Sequence, residues 1–166
     1  NTTETHPVIG AKIKQAAKKG AKIIVAEPRR IELANKAEVF LQIKPGTNVA
    51  LYNGMMNVII SENLHDKEFI KARTENYEEL EKMIKEYTPE RVAEICCIDA
   101  EELKKAARLY AKANKAGIFY SMGVTQHSTG VNGVMSVSNL ALVAGKLGKE
   151  GCGVNPLRGQ NTVQGA

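Results

Sequence analysis

Short runs of apolar, partly β-branched residues alternate along the chain with longer segments in which apolar residues recur at helical spacing. The run Lys22-Ile23-Ile24-Val25-Ala26 is apolar after its first residue, which is typical of a buried parallel strand. Similar runs from about Glu38 to Ile43 and from Ile118 to Ser121 predict a second and a third strand.

The segments between these runs predict helices. The clearest helix begins at Asp99, which forms a capping-box pattern with Glu102, and we expect Gly117 to end it. The other helical segments expected from apolar spacing and end signals are Pro7 to Lys19, the short turn Ile31 to Asn35, a helix capped by Thr47 or Asn48, Asp66 to Arg73, Tyr77 to Lys85, a helix from Thr88 and Pro89, and Asn132 to Leu147.

This alternation of helices with short apolar strands predicts an α/β domain with a mostly parallel sheet. Polar or glycine-rich turns follow the predicted strands at Glu27 to Arg30, Pro45 to Asn48 and Met122 to His127. Because open α/β sheets bind ligands outside the carboxyl ends of their strands, we expect these turns to meet at one edge. Together they indicate an extended ligand such as a nucleotide.

Both ends of the chain indicate a piece of a larger protein. Residues 153–166 are dense in glycine and amide side chains, and Asn1 to Pro7 has the composition of a loop with no strand before it. We therefore expect a fragment of a multidomain subunit, with an α/β domain in residues 1–150. Residues 151–166 are expected to wrap a polar ligand and to lead into a further domain.

The charge pattern and the cysteines exclude several classes of function. The formal net charge is +5, but the lysines are mixed with glutamates, as in Glu101 to Lys112, which is typical of solvated helix faces rather than of a nucleic-acid interface. A net positive charge is also compatible with an anionic cofactor that bears several phosphates. No apolar run has membrane-spanning length, and the cysteines form no C-x-x-C motif, so we expect no metal site in this chain and the reduced thiols of a cytoplasmic protein.

Several motifs occur in an order that resembles the molybdenum- or tungsten-pterin (molybdopterin) oxidoreductases. Asn1 to Pro7 resembles the family's N-x-x-E/D-x-H-P loop, Ala21 to Arg29 its G-A-K-x-I-x-x-D-P-R strand and turn, and Pro45 to Leu51 its P-G-T-D-x-A-L segment. The segments Gly123 to His127 and Arg158 to Gly165 complete the set. The last segment makes the chain most similar to the catalytic (alpha) subunits of formate dehydrogenases.

The resemblance implies a Rossmann-like three-layer domain, one of two that clasp a bis-molybdopterin guanine dinucleotide (bis-MGD) cofactor with molybdenum or tungsten. Glu27 stands where the family usually carries an aspartate, and Asn48 stands where many of its members carry one. The residues that the resemblance assigns to the cofactor are Asn1, Glu4 and His6 in the first loop, Glu27, Pro28 and Arg29 around the guanosine, Gly46 and Asn48 at the nucleotide, Met122, Gly123 and Gln126 near the pterin and metal, and Gln160, Asn161 and Gln164 in the tail.

The resemblance further implies that Arg158 is the active-site arginine of an enzyme that oxidises formate to CO2. A guanidinium binds a small planar carboxylate bidentately, and its charge favours the anion over the neutral product. The family's metal-ligating cysteine or selenocysteine, the histidine after it and the four cysteines of a 4Fe–4S cluster match no residue here, so we expect them upstream. The chain alone is then inactive and works with the other domains of its subunit and with electron-transfer subunits.

Two alternatives stay open. The chain could be a stand-alone nucleotide-binding or scaffold α/β domain, or part of a related molybdopterin oxidoreductase with another small substrate. No G-x-G-x-x-G fingerprint follows a predicted strand, which argues against a nicotinamide-dependent Rossmann enzyme. At single positions, Glu27 could equally be an exposed strand-end carboxylate, and His127 could be a loop histidine without a role in the site.

Overall fold

The computed structural model describes residues 1–159, in which helices alternate with short strands. The strands are β1 (Ile24–Ala26), β2 (Val39–Leu41), β3 (Gly117–Tyr120) and β4 (Gly153–Pro156). The α-helices are α1 (Thr2–Thr5), α2 (Pro7–Lys18), α3 (Asn48–Ser61), α4 (Lys67–Arg73), α5 (Tyr77–Ile84), α6 (Pro89–Cys96), α7 (Ala100–Lys112), α8 (Met122–Thr125) and α9 (Gly130–Val143), and a 3₁₀ helix spans Glu32–Lys36. Within this part of the chain no helix is long and apolar enough to cross a membrane.

The strands form two separate two-stranded sheets, and both strand pairs are parallel. In the first sheet β1 pairs with β2, with Val25 opposite Phe40. In the second sheet β3 pairs with β4, with Ile118 opposite Val154. The predicted α/β class with parallel strands is therefore confirmed.

Strand β4 was not predicted from the sequence. Gly153, Asn155 and Pro156 are residue types that disfavour strands, and Gly153 adopts a φ of 150°. Pairing with β3 orders the segment, and the Asn155 side chain adds a hydrogen bond from Nδ2 to the carbonyl oxygen of Ile118 at 3.2 Å. As a result, the position of the residues after Pro156 is set by the pairing of β4 with β3.

Several element boundaries differ from the predictions. Helix α7 ends at Lys112, where the C-cap residue Ala113 is extended, and Gly117, expected to terminate the helix, is the first residue of β3. Helix α9 begins and ends earlier than predicted and is followed by Gly145 in the left-handed conformation (φ 63°). The segments Asn1 to Pro7 and Met122 to His127, predicted as a loop and a turn, contain the single-turn helices α1 and α8, which pack against α2 and α9.

Helix α3 is the centre of the main hydrophobic core. It packs against α6, α7 and α9, and its side chains Leu51, Met56 and Ile59 are almost fully buried. Helix α7 begins as predicted, because Asp99 Oδ1 accepts hydrogen bonds from the backbone N–H groups of Glu101 at 2.7 Å and Glu102 at 3.0 Å. The core thus joins α3, α6, α7 and α9 to strand β2, whose Val39 and Leu41 are also buried in it.

The contact between α3 and α6 predicts the effect of one added methyl group. Gly54 is buried, and a Cβ built there lies 2.8 and 2.9 Å from the methyl carbons of Val92, which is fully buried. Gly54→Ala is therefore expected to lower the free energy of unfolding by about 1–3 kcal/mol, measured by urea denaturation. The free energy of unfolding of the double variant Gly54→Ala, Val92→Ala should fall by less than the sum of the two single decreases. The new methyl group at position 54 fills the space that valine vacates. Additive losses would contradict the predicted clash.

Candidate functional site

The segments that follow the strands lie side by side. Gln42, just after β2, donates from Nε2 to the carbonyl oxygen of Pro28, just after β1, at 3.0 Å. Asn48 donates from Nδ2 to the carbonyl oxygen of Gly123, in the segment after β3, at 3.2 Å. The turns predicted to meet therefore do meet. We call the surface formed by residues 27–30, 42–48, 121–127 and 157–159 the carboxyl edge.

Glu27 follows β1 directly, and only 18% of its side chain is exposed. Its Oε1 accepts a hydrogen bond from the backbone N–H of Arg29 at 3.2 Å and lies 3.5 Å from Arg29 Nε. Its Oε2 lies 3.9 Å from the backbone nitrogen of Asn1. The structure thus brings Asn1, Glu27 and Arg29 together, beside the exposed Pro28, and Glu27 is not an exposed strand-end carboxylate.

Arg158 follows β4 and is held against the segment after β3. The backbone N–H of Leu157 donates to the carbonyl oxygen of Tyr120 at 2.7 Å, and the Ser121 hydroxyl donates to the carbonyl oxygen of Leu157. Arg158 Nη1 donates to Thr125 Oγ1 at 3.3 Å, and its guanidinium carbon lies 5.9 Å from the centre of the Tyr120 ring. Both the backbone and the side chain at this position are therefore tethered.

His6 joins the first turn of the chain to the same arginine. Its Nε2 lies 3.2 Å from the backbone carbonyl oxygen of Arg158, and its Nδ1 lies 2.9 Å from the Thr5 hydroxyl. Because a carbonyl oxygen only accepts, Nε2 donates to the Arg158 carbonyl oxygen. His6 thus contacts the backbone of Arg158, whereas Glu4 is exposed on α1.

The other predicted residues within residues 1–159 border the carboxyl edge. A Cβ built on Gly46 (φ 84°) or on Gly123 meets no atom of residues 1–159 within 4 Å, so no described group covers the backbone there. Met122 is 54% exposed, and Gln126 is exposed too. His127 Nε2 lies 3.0 Å from the carbonyl oxygen of Gly123 and closes its own turn. The predicted Gln160, Asn161 and Gln164 lie outside the described residues.

The sequence analysis missed four residues that build the site: Gln42, Tyr120, Ser121 and Thr125. Tyr120 and Ser121 end the third predicted strand, and Thr125 lies inside a motif that carried the resemblance, so their position at a strand end was a usable signal. Gln42 also lies at the end of a predicted strand, but its contact with Pro28 arises only when β1 pairs with β2.

Positive charge dominates the carboxyl edge. Tyr52 lies on the neighbouring helix α3. Burial raises its pKa to about 12, with a smaller contribution from Tyr120. The phenol is therefore neutral at neutral pH and adds no negative charge. An edge of this kind attracts anionic ligands. Its basic side chains are Arg29, Arg30, Lys44 and Arg158, and its acidic side chain is Glu27.

The groups at the carboxyl edge are of the kind that bind an anionic ligand. Within the described residues, no three His, Cys, Asp or Glu side chains are placed to hold a metal. The open backbone at Gly46 and Gly123 permits close approach of a ligand, and the buried Arg158 Nε has no hydrogen-bond acceptor in residues 1–159. Glycine backbone and guanidinium donors are groups that proteins use to hold phosphates and carboxylates.

The chain is similar to known proteins over its whole length. The family model described as molybdopterin oxidoreductase matches residues 1–166, the whole chain. The chain is 57% identical to the F420-dependent formate dehydrogenase subunit alpha of Methanocaldococcus jannaschii and 49% identical to formate dehydrogenase H of Escherichia coli, in each case over 100% of the chain. It covers only 25% and 23% of these relatives, about a quarter of their length.

A solved structure has a similar fold. The acetylene hydratase of Pelobacter acetylenicus superposes with a TM-score of 0.81 at 35% sequence identity. The likeness covers 84% of this chain and 19% of that one. The arrangement of helices and strands described above is therefore shared with one part of a much larger protein.

Proposed function

The chain belongs to the molybdopterin oxidoreductase family, and on this premise we propose that it is the cofactor-binding part of a formate dehydrogenase catalytic subunit. The parent enzyme oxidises formate to CO2 in a two-electron reaction. The high identity to formate dehydrogenase alpha subunits over the whole chain supports this choice within the family. In this proposal residues 1–150 form the dinucleotide-binding domain, and residues 151–166 lead from it into the next domain.

The observation that carries the proposal is the position of Arg158. It lies at the same carboxyl edge as the turns after β1, β2 and β3, and both its backbone and its Nη1 are held, by His6 and by Thr125 respectively. A scaffold domain that binds no anion has no need of a tethered guanidinium at this edge. A formate dehydrogenase does, because its substrate is a small anion.

The cofactor in this proposal is bis-molybdopterin guanine dinucleotide with molybdenum or tungsten, which supplies the two-electron redox chemistry when bound. The corner of Asn1, Glu27 and Arg29 would hold the guanosine. Gly46 and Asn48 would face the nucleotide, and Met122, Gly123 and Gln126 would lie at the pterin. The open backbone at the two glycines supports these assignments.

In the reaction, Arg158 would bind and orient formate. Its guanidinium offers planar paired donors that match a carboxylate, and its charge raises the local concentration of the anion. Product CO2 is neutral and loses that attraction. The tether to Thr125 means that little side-chain freedom is lost when the anion binds.

Other parts of the enzyme lie outside this chain in this proposal. The metal-ligating cysteine or selenocysteine and the cysteines of a 4Fe–4S cluster would come from sequence upstream, so the chain alone would be inactive. The electrons would leave through separate electron-transfer subunits. The reduced-thiol pattern of the sequence supports a cytoplasmic enzyme.

The direct test is purification of the full-length protein under anaerobic conditions, followed by metal analysis and a dye-reduction assay with formate. Formate-dependent reduction with molybdenum or tungsten bound would support the proposal. The second candidate is a related enzyme with another small substrate, favoured by the similarity to an acetylene hydratase. Hydration of acetylene without formate oxidation would replace the first candidate with the second, and absence of metal would favour the stand-alone nucleotide-binding domain.

The Glu27 corner gives a separate prediction for cofactor binding. Glu27→Ala in the full-length protein is expected to reduce the amount of guanine nucleotide released by acid extraction, because it removes the carboxylate next to Arg29 and Asn1. Glu32→Ala is the matched control, since Glu32 forms a surface ion pair with Lys14 at 2.7 Å. Equal nucleotide content in both variants and the wild type would exclude Glu27 from the guanosine site.

A further inference from the structure

Two residues that the sequence analysis did not assign hold the guanidinium of Arg158. We propose that Thr125 and Tyr120 are positioning residues, which fix the direction of this guanidinium and thereby set the affinity of the carboxyl edge for a small carboxylate. This inference rests on the proposed function, because it assigns Arg158 to substrate binding. Thr125 accepts from Nη1 at 3.3 Å, and the Tyr120 ring centre lies 5.9 Å from the guanidinium carbon.

The backbone around Thr125 is rigid enough to serve as an anchor. The carbonyl oxygen of Ser121 accepts from the N–H of Val124 at 3.0 Å and from that of Thr125 at 3.4 Å, which closes helix α8. A Cβ built on Gly130 would overlap the Thr125 carbonyl oxygen, so α8 and α9 meet without a gap at this point. The hydroxyl that receives Nη1 is therefore fixed by the packing of two helices.

Tyr120 acts on the face of the guanidinium rather than on its edge. Tyr120 ends β3 and is paired with Pro156 of β4, and its carbonyl oxygen accepts from the N–H of Leu157 at 2.7 Å, so the ring lies beside the segment that carries Arg158. A guanidinium over an aromatic ring is attracted by the ring's negative face. The guanidinium has one face against the ring and its Nη1 bound to a hydroxyl. Its remaining N–H donors therefore point in one direction.

The test uses the full-length enzyme with Thr125→Val and Thr125→Ser. Valine removes the hydroxyl at nearly equal volume, and we expect the KM for formate to rise about tenfold while kcat changes less than about twofold. Serine keeps the hydroxyl and should restore the wild-type KM. Thr74→Val is the matched control, because its hydroxyl donates to the Ile70 carbonyl oxygen at 2.7 Å at the end of α4.

Tyr120 is tested in the same way. Tyr120→Phe keeps the ring face and should behave as wild type, whereas Tyr120→Leu removes it and should raise the KM for formate. Equal KM values for Tyr120→Leu and wild type would remove Tyr120 from the proposal. If Tyr120→Phe raised the KM for formate as much as Tyr120→Leu, the effect would belong to the phenol hydroxyl. That result would contradict the role given to the ring face.

A measurement without formate separates this inference from the proposed function. Phenylglyoxal labels arginine side chains, and mass spectrometry of the Arg158 peptide gives its labelling rate. We expect faster labelling of Arg158 in Thr125→Val than in wild type, Thr125→Ser or Thr74→Val. If the wild type does not oxidise formate, the proposed function fails while labelling still reports positioning. Unchanged labelling in Thr125→Val would overturn the inference whatever the activity.

Discussion

Arg158→Lys in the full-length enzyme is expected to lower kcat/KM for formate by about 10²–10³-fold, at unchanged metal content. Lysine keeps the positive charge but presents a compact ammonium instead of a planar fork of donors. It cannot bind Thr125 through one donor and hold a carboxylate with two others in the same plane. The measurement is steady-state dye reduction over a range of formate concentrations.

Arg91→Lys is the matched control for this substitution. Arg91 also lies over a tyrosine ring, 6.0 Å from the centre of Tyr87, and also donates from Nη1, to the carbonyl oxygen of Glu86 at 3.1 Å. It lies on α6 rather than at the carboxyl edge, so its replacement should leave kcat/KM unchanged. Equal activity of Arg158→Lys and wild type would remove Arg158 from substrate binding, and an equal loss in both variants would show that the effect is not specific to the site.

Gly130→Ala is expected to destabilise the packing of α8 against α9 by about 3 kcal/mol, because the new methyl overlaps a backbone carbonyl that cannot rotate away. A local loss of this size speeds amide hydrogen exchange about 100-fold where exchange reports opening equilibria. Hydrogen exchange followed by mass spectrometry on the full-length protein would detect it in peptides that cover α8 and the start of α9. Because the displaced carbonyl belongs to Thr125, which accepts from Arg158 Nη1, phenylglyoxal should also label Arg158 faster.

Gly123→Ala provides the control for that experiment. It makes the same substitution seven residues earlier, within α8, but a Cβ at Gly123 meets no described atom within 4 Å. Its exchange in α8 and α9 should match the wild type. If Gly130→Ala also exchanged like the wild type, the close contact between α8 and α9 would be wrong.

Much of the fold followed from local sequence patterns. The start of α7 at Asp99 was predictable because its carboxylate caps the backbone N–H groups two and three residues further on. This contact lies entirely within one turn. Strand β1 was predictable because its apolar β-branched residues suit a buried strand wherever it lies. The meeting of the segments after β1 and β2 followed from a general rule of parallel sheets. The contact between Asn48 and Gly123 did not, because it joins two separate sheets.

Strand β4 and helix α8 depended on neighbours that are distant in sequence. Gly153 and Pro156 have weak strand preference, and only the pairing with β3 makes them a strand. Helix α8 is a single turn whose position is determined by contact with α9 at Gly130. Local preference is too small in both segments to outweigh chain entropy without tertiary contacts.

The sequence by itself determined the α/β class, most of the helices and the residue types at the carboxyl edge, because each depends on spacing or capping within a short segment. Through its motifs it also indicated the family. Only the tertiary structure decided which side chains meet there: His6 with the backbone of Arg158, Thr125 with its guanidinium, and Asn48 with Gly123. These partners come from different elements, and their distances depend on how the two sheets and the helices pack, which no local pattern encodes.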